Sequence, residues 1–227
     1  MSIADNLEKI GENIRRAAER SGRKTDALTL VAVSKTVEPE RILEAYRLGL
    51  RDFGENYVQE ASGKAAQLPW DINWHFIGHL QKNKVKQILP WVHLLHSADS
   101  LELLRVVERK APSGKIPCLL EVNLAGEESK SGLPEEQVFP LLESAQDLTK
   151  VEIQGLMCIP PLVNRAEDNR PYFKRLRELL ERINKAGYPH FRGIHLSMGM
   201  SDDYETAVEE GATMLRIGRA LFGERSR

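Results

Sequence analysis

The chain has 227 residues, of which 41% are hydrophobic and 29% are charged, and these values are typical of a globular protein and exclude a largely disordered chain. Its 32 Lys and Arg residues balance 33 Asp and Glu residues, so the net charge of −1 gives no electrostatic reason to expect binding to nucleic acid or to an anionic membrane. Cys118 and Cys158 each lie in an apolar run, which favours buried thiols over a disulfide and predicts a cytoplasmic protein.

The first predicted element is an amphipathic helix and not a signal peptide. Apolar residues recur at helical spacing from Ile3 to Ala18, and acidic residues interrupt the apolar stretch that a signal peptide needs. Ser2 can cap this helix and Gly22 can end it. No apolar run in the chain approaches the roughly 20 residues needed to cross a bilayer, so a membrane-spanning segment is not expected.

After this helix, short apolar runs that end in small or polar residues alternate with amphipathic stretches. Such alternation predicts βαβ units and a parallel sheet. Eight candidate strands in about 200 residues match a (β/α)8 TIM barrel, an α/β fold that typically takes about 250 residues. The candidate strands are Leu28–Ser34, Asp52–Gly54, Trp74–Gly78, Leu94–Ser97, Pro117–Asn123, Val151–Cys158, Gly193–Ser197 and Met214–Ile217, and the candidate helices between them are Glu40–Leu48, Val58–Leu68, Gln81–Leu89, Leu101–Lys110, Glu135–Gln146, Tyr172–Ala186 and Asp203–Glu210.

An open doubly wound sheet is the alternative fold, because a short run such as Asp52–Gly54 is a weak strand candidate. The segment after the first strand, 33–36, has no Gly-rich dinucleotide-binding pattern, and we therefore favour the barrel. No linker rich in Pro, Gly or Ser divides the chain, so residues 1–227 are expected to form a single domain. The loops 124–134 and 160–161 would lie at the carboxyl face of a barrel, where active sites are built.

Lys35 is the strongest candidate for chemistry. Side chains alternate along a strand, so Lys35 shares a face with Val31 and Val33, and on the inner face of a barrel its amine would stand at the mouth above an apolar column. Desolvation there would lower the pKa of the ammonium group and make a nucleophilic amine available to form an imine. The alternative is a lysine at a strand end whose amine simply reaches water.

A second candidate site follows the last two strands, in segments 193–201 and 215–219. Loops after strands seven and eight form the usual phosphate site of such barrels, and Gly199 and Gly218 would let the backbone approach a phosphate. Ser201 is placed to cap the next helix, and Asp202 and Asp203 are interpreted as outward-pointing residues that complement its dipole. The alternative is that these Gly and Ser residues serve only the turns.

Other candidates are weaker. Asn56, Asn123 and Met157 each lie near the carboxyl end of a strand, where each could line a pocket or serve as a loop cap or core residue. His75 and His79 are separated by a strand end and a loop, and no carboxylate completes a set of ligands, so a metal site is not expected. The sequence has no nucleophile-elbow motif and no convincing Cys–His pair.

Six segments carry motifs that occur together, in this order, over nearly the whole chain. They are Val31–Thr36, Phe53–Tyr57, His75–Lys84, Gly155–Met157, His195–Asp203 and Arg216–Gly223. Together they resemble the pyridoxal phosphate homeostasis proteins (the YggS/PROSC family). The Ser-Met-Gly-Met-Ser run at 197–201 is specific to this pattern, and no motif position departs from it.

The resemblance implies a single (β/α)8 barrel of the alanine-racemase N-terminal type that binds pyridoxal 5′-phosphate (PLP). Lys35 matches the lysine that forms the internal aldimine with the cofactor, and Arg216 matches the arginine that faces its pyridine nitrogen. Ser197, Ser201 and Gly218 match the phosphate-binding region. The full set expected to contact the cofactor is Lys35, Asn56, His79, Met157, Ser197, Met198, Gly199, Ser201, Arg216 and Gly218.

The resemblance also implies a cytoplasmic, monomeric protein without catalytic activity. Such a protein would buffer or carry PLP and so influence amino-acid and keto-acid metabolism, with apo-forms of PLP-dependent enzymes as candidate recipients. An arginine that faces the ring keeps the pyridine nitrogen unprotonated, which makes the cofactor a poorer electron sink. The alternatives are a racemase-like enzyme of low activity on amino acids and a phosphate-binding barrel that forms no imine.

Overall fold

The computed structural model describes residues 2–25, 28–112, 114–127 and 131–224. Residues 128–130 of the predicted loop 124–134 lie outside this described part. The first helix, α1 (Ile3–Arg20), begins as predicted at Ser2: the Ser2 hydroxyl accepts a hydrogen bond from the amide of Asp5, and the Asp5 carboxylate accepts one from the amide of Ser2. Gly22 follows the helix with a φ of 66°.

Strands and helices alternate along the rest of the chain. The strands are β1 (Thr29–Val33), β2 (Asp52–Glu55), β3 (Asn73–Phe76), β4 (Val92–Ala98), β5 (Ile116–Asn123), β6 (Leu133–Pro134), β7 (Val151–Met157), β8 (Phe191–Ser197) and β9 (Met214–Ile217). The helices are α2 (Pro39–Arg47), α3 (Val58–Gln67), α4 (Val85–Ile88), α5 (Leu101–Lys110), α6 (Val138–Ser144), α7 (Arg170–Ala186), α8 (Tyr204–Glu209) and α9 (Arg219–Phe222).

Eight parallel strands close into a barrel. Their order around it is β1, β2, β3, β4, β5, β7, β8 and β9, and β9 pairs with β1 to complete the ring. The two-residue strand β6 pairs with β5 outside the ring. The predicted barrel is therefore confirmed and the open doubly wound sheet is excluded. The weak candidate Asp52–Gly54 is part of a strand that pairs on both sides, with β1 and β3.

Two predicted helices are shorter than the sequence pattern suggested. The stretch Gln81–Leu89 holds a 3-10 turn, Lys82–Lys84, before the single turn of α4. In the stretch Glu135–Gln146, a 3-10 turn precedes α6. Pro140 explains the second case, because proline fits an α-helix only in its first turn, so the α-helix starts just before it.

The apolar residues form two separate layers. Most of them lie between the barrel wall and the surrounding helices in one continuous core. A smaller, separate cluster of Leu94, Leu119, Met157 and Met214 lies inside the barrel, because the residue after each of them in the chain belongs to the outer core and side chains alternate along a strand. Inward and outward side chains alternate along each strand, so Glu121 and Arg216, two residues beyond Leu119 and Met214, also face the interior.

The two cysteines are buried free thiols, as expected from their apolar surroundings. Burial raises the pKa of both Cys118 and Cys158 to about 12, so neither is a reactive thiolate at neutral pH. Within the described part of the chain, no helix combines the length and the apolar composition that crossing a membrane requires.

Candidate functional site

The barrel gathers most of the predicted site residues at one end. Because all its strands are parallel, their carboxyl ends meet at the same face. Lys35 lies two residues beyond β1, and Asn56 follows β2 directly. Met157 and Ser197 are the last residues of β7 and β8, and Arg216 is the third residue of β9. The sequence-predicted residues therefore share one mouth of the barrel.

Lys35 lies in a turn with an unusual backbone. The preceding residue, Ser34, is fully buried, and its amide donates to the Gly54 carbonyl at 2.9 Å. The following residue, Thr36, has a φ of 59°, in the left-handed region that few non-glycine residues adopt. Lys35 itself is half-buried at the rim. Its main chain is therefore held by β2 on one side and by a strained residue on the other.

A buried ionic cluster from α3, here called the Lys64 clamp, fixes this turn. The Lys64 ammonium donates to Glu55 at 2.8 Å, to Glu60 at 2.6 Å and to the Ser34 carbonyl at 2.6 Å. Glu60 in turn accepts from the amide of Thr36 at 2.5 Å. The two residues that flank Lys35 are thus bound to one ammonium and one carboxylate of the clamp.

Burial raises the pKa of Glu55, and the hydrogen bonds from Lys64 and Ser34 oppose that effect. Only one Glu55 oxygen, Oε1, has hydrogen-bond partners among the described residues, while Oε2 is buried without one. Sequence reasoning missed the clamp. Its only sign was a lysine on a helix face that includes Val58 and Ala61.

Arg216 is the second basic residue of the mouth and is only 4% exposed. Its guanidinium donates to the Ser197 hydroxyl at 2.6 Å and to the Cys158 carbonyl at 2.8 Å. Burial lowers the pKa of Arg216, and the charge of Glu121 is one of the effects that oppose this. The sequence predicted Arg216 at the site but not the burial of its side chain.

Glu121, which sequence reasoning also missed, brings a buried carboxyl group to the interior. It lies on β5 and is 5% exposed. Burial raises its pKa to about 7, with a further contribution from the charge of Asp99, while Arg216 acts in the opposite direction. A single carboxylate in the otherwise apolar run Cys118–Val122 was the available signal.

The turn between β8 and α8 packs closely against the last helices. Gly199 has a φ of 88°, and a Cβ atom at this position would lie 2.5 Å from the Cβ of Ala207. The packing of α8 therefore gives one reason for glycine here, beside the predicted approach to a phosphate. Met198 is buried, and its amide donates to the Met214 carbonyl at 3.1 Å.

Two details of this turn differ from the sequence interpretation. Ser201 does not cap α8; its hydroxyl accepts from the amide of Ala220 at 3.1 Å, in α9, whose N-terminal cap is Gly218. Asp203 does not point outward: it is 4% exposed and accepts from Asn169 at 2.8 Å and from the Met200 amide at 2.7 Å. The first bond ties Asp203 to the segment just before α7, and the second closes the turn itself.

Asp202 and His79 lie at the outer edge of the site. Asp202 points outward, as interpreted, and forms an ion pair with Arg219. His79 is exposed and lies 3.2 Å from Asp99, away from His75, which faces the interior. No group of His, Cys, Asp or Glu side chains in the described residues is arranged to hold a metal ion.

Comparison with known proteins identifies the family. Residues 6–226 match the family model described as alanine racemase, N-terminal domain. The chain is 46% identical to the pyridoxal phosphate homeostasis protein of Aquifex aeolicus, with 99% of each chain covered. It is 45% identical to the pyridoxal phosphate homeostasis protein of Pseudomonas aeruginosa, with 99% of this chain and 96% of that one covered.

Among solved structures, PipY of Synechococcus elongatus with PLP bound superimposes with a TM-score of 0.82 at 36% identity, covering 93% of this chain and all of that one. Fold and site thus define the class of protein: a barrel of the alanine-racemase type with a lysine after its first strand. The chain belongs to the pyridoxal phosphate homeostasis protein family.

Proposed function

We propose that this protein binds PLP at the mouth of the barrel and takes part in the intracellular homeostasis of this cofactor. The observation that carries the proposal is the position of Lys35, in a clamped turn at the same mouth as the buried guanidinium of Arg216. Relatives named for pyridoxal phosphate homeostasis, and a related structure that contains PLP, support it.

The residues at the mouth fit such a cofactor. The Asn56 side-chain oxygen is buried without a hydrogen-bond partner in the described structure, as expected for a polar group that a ligand completes. Arg216 supplies a cation that can only donate hydrogen bonds, which suits an unprotonated pyridine nitrogen. We assign the phosphate to the turn of Ser197–Ser201 and to Gly218, and the remaining contacts to His79 and Met157.

The attachment to Lys35 is covalent. The neutral amine of Lys35 attacks the aldehyde carbon of PLP, a C=N bond replaces the C=O bond, and the carbonyl oxygen leaves as water with the two amine protons. The reaction involves no oxidation and needs no further reactant. The resulting Schiff base retains the cofactor reversibly, because water can reverse the same step.

We further propose that the protein does not use the bound cofactor for catalysis. An arginine at the pyridine nitrogen disfavours ring protonation, and an unprotonated ring stabilises carbanions poorly. The names of the relatives describe homeostasis rather than a reaction. None of the described residues of the site favours the racemase-like alternative. The proposed protein is a cytoplasmic monomer of one domain, residues 1–227, that buffers PLP and releases it to apo-forms of PLP-dependent enzymes.

Borohydride reduction of the PLP-loaded protein, followed by peptide mapping, tests the central claim. The pyridoxyl adduct should lie on Lys35 and should disappear in Lys35→Ala. Lys82→Ala is the matched control, because Lys82 is an exposed lysine in the loop region of the same barrel face and pairs with Glu102. An adduct mainly on another lysine would refute the assignment to Lys35.

The absence of catalysis has its own test. The wild-type protein incubated with L-alanine in deuterated water should exchange the Cα proton no faster than free PLP with a lysine analogue. Turnover of about 1 s⁻¹ or more, within the ordinary range of enzymes, would refute the carrier function and establish the racemase-like alternative.

A further inference from the structure

The barrel interior contains a continuous row of hydrogen-bonded side chains, here called the interior chain. It starts at Arg216, whose guanidinium bonds to the Ser197 hydroxyl at 2.6 Å. Ser197 lies 2.9 Å from Nδ1 of His96, and Nε2 of His96 lies 2.8 Å from Nδ1 of His75. The row ends where Nε2 of His75 lies 2.9 Å from Asp52.

The interior chain crosses the barrel from one end to the other. Asp52 is the first residue of β2, at the amino end of the barrel, and its side chain is one-quarter exposed. Arg216 lies near the carboxyl end of β9. The three residues between them are at most 1% exposed. The row thus connects the proposed cofactor face with the opposite, solvent-facing end.

The chemistry of the two end groups determines the direction of every bond. Arg216 can only donate, so the Ser197 oxygen accepts from it. The buried Ser197 hydroxyl must also place its own proton, and among the described residues its acceptor is Nδ1 of His96. At the other end the Asp52 carboxylate can only accept, so Nε2 of His75 carries a proton and donates.

Both ends therefore require the same arrangement of the histidines. If Nδ1 of His96 accepts, its proton is on Nε2, which donates to Nδ1 of His75. That nitrogen is free to accept, because the proton of His75 is already assigned to Nε2. All donors in the row consequently point from Arg216 toward Asp52, and both imidazoles are neutral.

The surroundings of His96 agree with a neutral imidazole at this position. Burial lowers the pKa of His96 well below its ordinary value, with further contributions from His75, Arg216, His195 and His93. Burial alone would raise the pKa of Asp52, but the side-chain hydrogen bonds from His75 and Asn73 contribute to a pKa below its ordinary value. Asp52 is therefore the anion of the row, and Arg216 is the cation.

We propose that His96 and His75 are positioning residues that hold the guanidinium of Arg216 in place at the mouth of the barrel. The aligned hydrogen bonds present a lone pair of the Ser197 oxygen to the buried guanidinium. This lone pair helps to solvate the guanidinium, for which the described residues supply no carboxylate in direct contact. The inference rests on the proposed function, because the orientation of Arg216 matters to PLP only if PLP binds at this face.

The proton positions can be read directly by NMR on the ¹⁵N-labelled wild-type protein. Long-range ¹⁵N–¹H correlations should show His96 and His75 as neutral imidazoles protonated at Nε2 at pH 7, with His96 still neutral at pH 6. Protonation of either ring at Nδ1 alone, or a doubly protonated His96 at pH 6, would overturn the interior chain. This measurement needs no cofactor, so it stands even if the proposed function fails.

The positioning role predicts an effect on bound PLP. In His96→Leu the hydroxyl of Ser197 loses its acceptor and Arg216 loses its alignment. The dissociation constant for PLP should then rise at least 10-fold, and the absorption of the bound cofactor between pH 6 and 9 should become pH-dependent through ring protonation. His93→Leu is the matched control, because His93 is exposed and lies outside the row. Its ring packs edge to face against the His75 ring, with 5.5 Å between the ring centroids.

A second pair of variants covers the case in which His96→Leu fails to fold. Asn in place of His75 keeps an oxygen that can accept from His96, whereas Leu does not, so His75→Asn should bind PLP at least fivefold more tightly than His75→Leu. Equal affinity and spectra for these two variants, or for His96→Leu and wild type, would refute the positioning role. Failure of the wild type to form the Lys35 adduct would instead refute the proposed function.

Discussion

Lys35 and Arg216, the two basic residues of the proposed cofactor site, are held by opposite means. The Lys35 turn is fixed from outside the barrel wall, by the ionic Lys64 clamp on α3. Arg216 is fixed from inside the barrel by neutral hydroxyl and imidazole groups. The clamp is local, joining neighbouring elements, whereas the interior chain joins the two ends of the molecule.

This difference shows two ways of keeping charge in a protein interior. In the clamp each charge is balanced by a charge in contact with it, so the loss of one member leaves the others uncompensated. In the interior chain the charge of Arg216 is solvated by dipoles, so a broken link costs about as much as an unsatisfied buried hydrogen bond, roughly 1–3 kcal/mol. Removing a charged side chain from the clamp should therefore destabilise the protein more than breaking one link of the interior chain.

The largest expected effect is that of Lys64→Met. The variant removes the only cation of the clamp and leaves Glu55 buried without its partner, so the free energy of unfolding at pH 7 should fall by about 3–5 kcal/mol. Urea denaturation measures the loss. Adding Glu55→Gln should restore a large part of it, because the uncompensated charge is then gone.

Lys174→Met is the control for this variant, because Lys174 forms an exposed ion pair with Glu178 at the same i,i+4 spacing as Lys64 and Glu60. It should change stability by less than about 1 kcal/mol. A loss for Lys64→Met no larger than that of the control would show that the clamp contributes little.

Glu121→Gln tests the charge balance on the Arg216 side. The ordinary pKa of this carboxyl is 4.5 and burial raises it to about 7 in the folded protein. The protonated group is thus favoured by folding, and this contribution is complete below pH 4.5 and is lost as the pH rises through 7. The variant carries no such loss, so it should be more stable than wild type at pH 8, by up to about 3 kcal/mol.

At pH 4 the same two proteins should differ little, because the wild-type carboxyl is then protonated in both states. Denaturant unfolding at both pH values measures the difference. Glu102→Gln, at an exposed glutamate, should show no comparable dependence. The raised pKa would be contradicted if the difference in the free energy of unfolding between wild type and Glu121→Gln were the same at pH 4 and pH 8.

Gly199→Ala, in the turn after β8 on the Arg216 side, should lower the free energy of unfolding by about 1–3 kcal/mol. The φ of 88° disfavours a side chain, and the added methyl group would meet Ala207 on α8. Gly63→Ala is the matched control, since Gly63 is exposed within α3 and a Cβ there meets nothing within 4 Å. It should stabilise the protein by up to about 1 kcal/mol. Thermal unfolding should therefore shift in opposite directions for the two variants.

The features that could be predicted from the sequence are those encoded within one element. Short apolar runs between amphipathic stretches identified the eight barrel strands, and the end of one such run identified Lys35. The Lys64 clamp needs α3 to dock against β2, which no local pattern specifies. The interior chain depends on barrel closure, because His96 and Ser197 are 101 residues apart in the chain. In the sequence, only single polar residues within apolar strands, such as Glu121, indicated that the barrel interior holds polar groups.

The smallest expected effect on stability is in the Lys35 turn itself. Thr36 adopts a positive φ there, as Gly199 does in the turn on the Arg216 side. Thr36→Gly relieves the left-handed conformation, which costs a residue with a side chain about 1–2 kcal/mol, but glycine brings an entropic cost of roughly 0.5–1 kcal/mol. The net change in the free energy of unfolding should stay within about 1 kcal/mol. PLP affinity should nonetheless fall, because the turn that presents Lys35 becomes freer. Calorimetric unfolding and PLP titration of the same samples separate the two quantities, and a large stabilisation with unchanged affinity would show that the strain at Thr36 has no part in presenting Lys35.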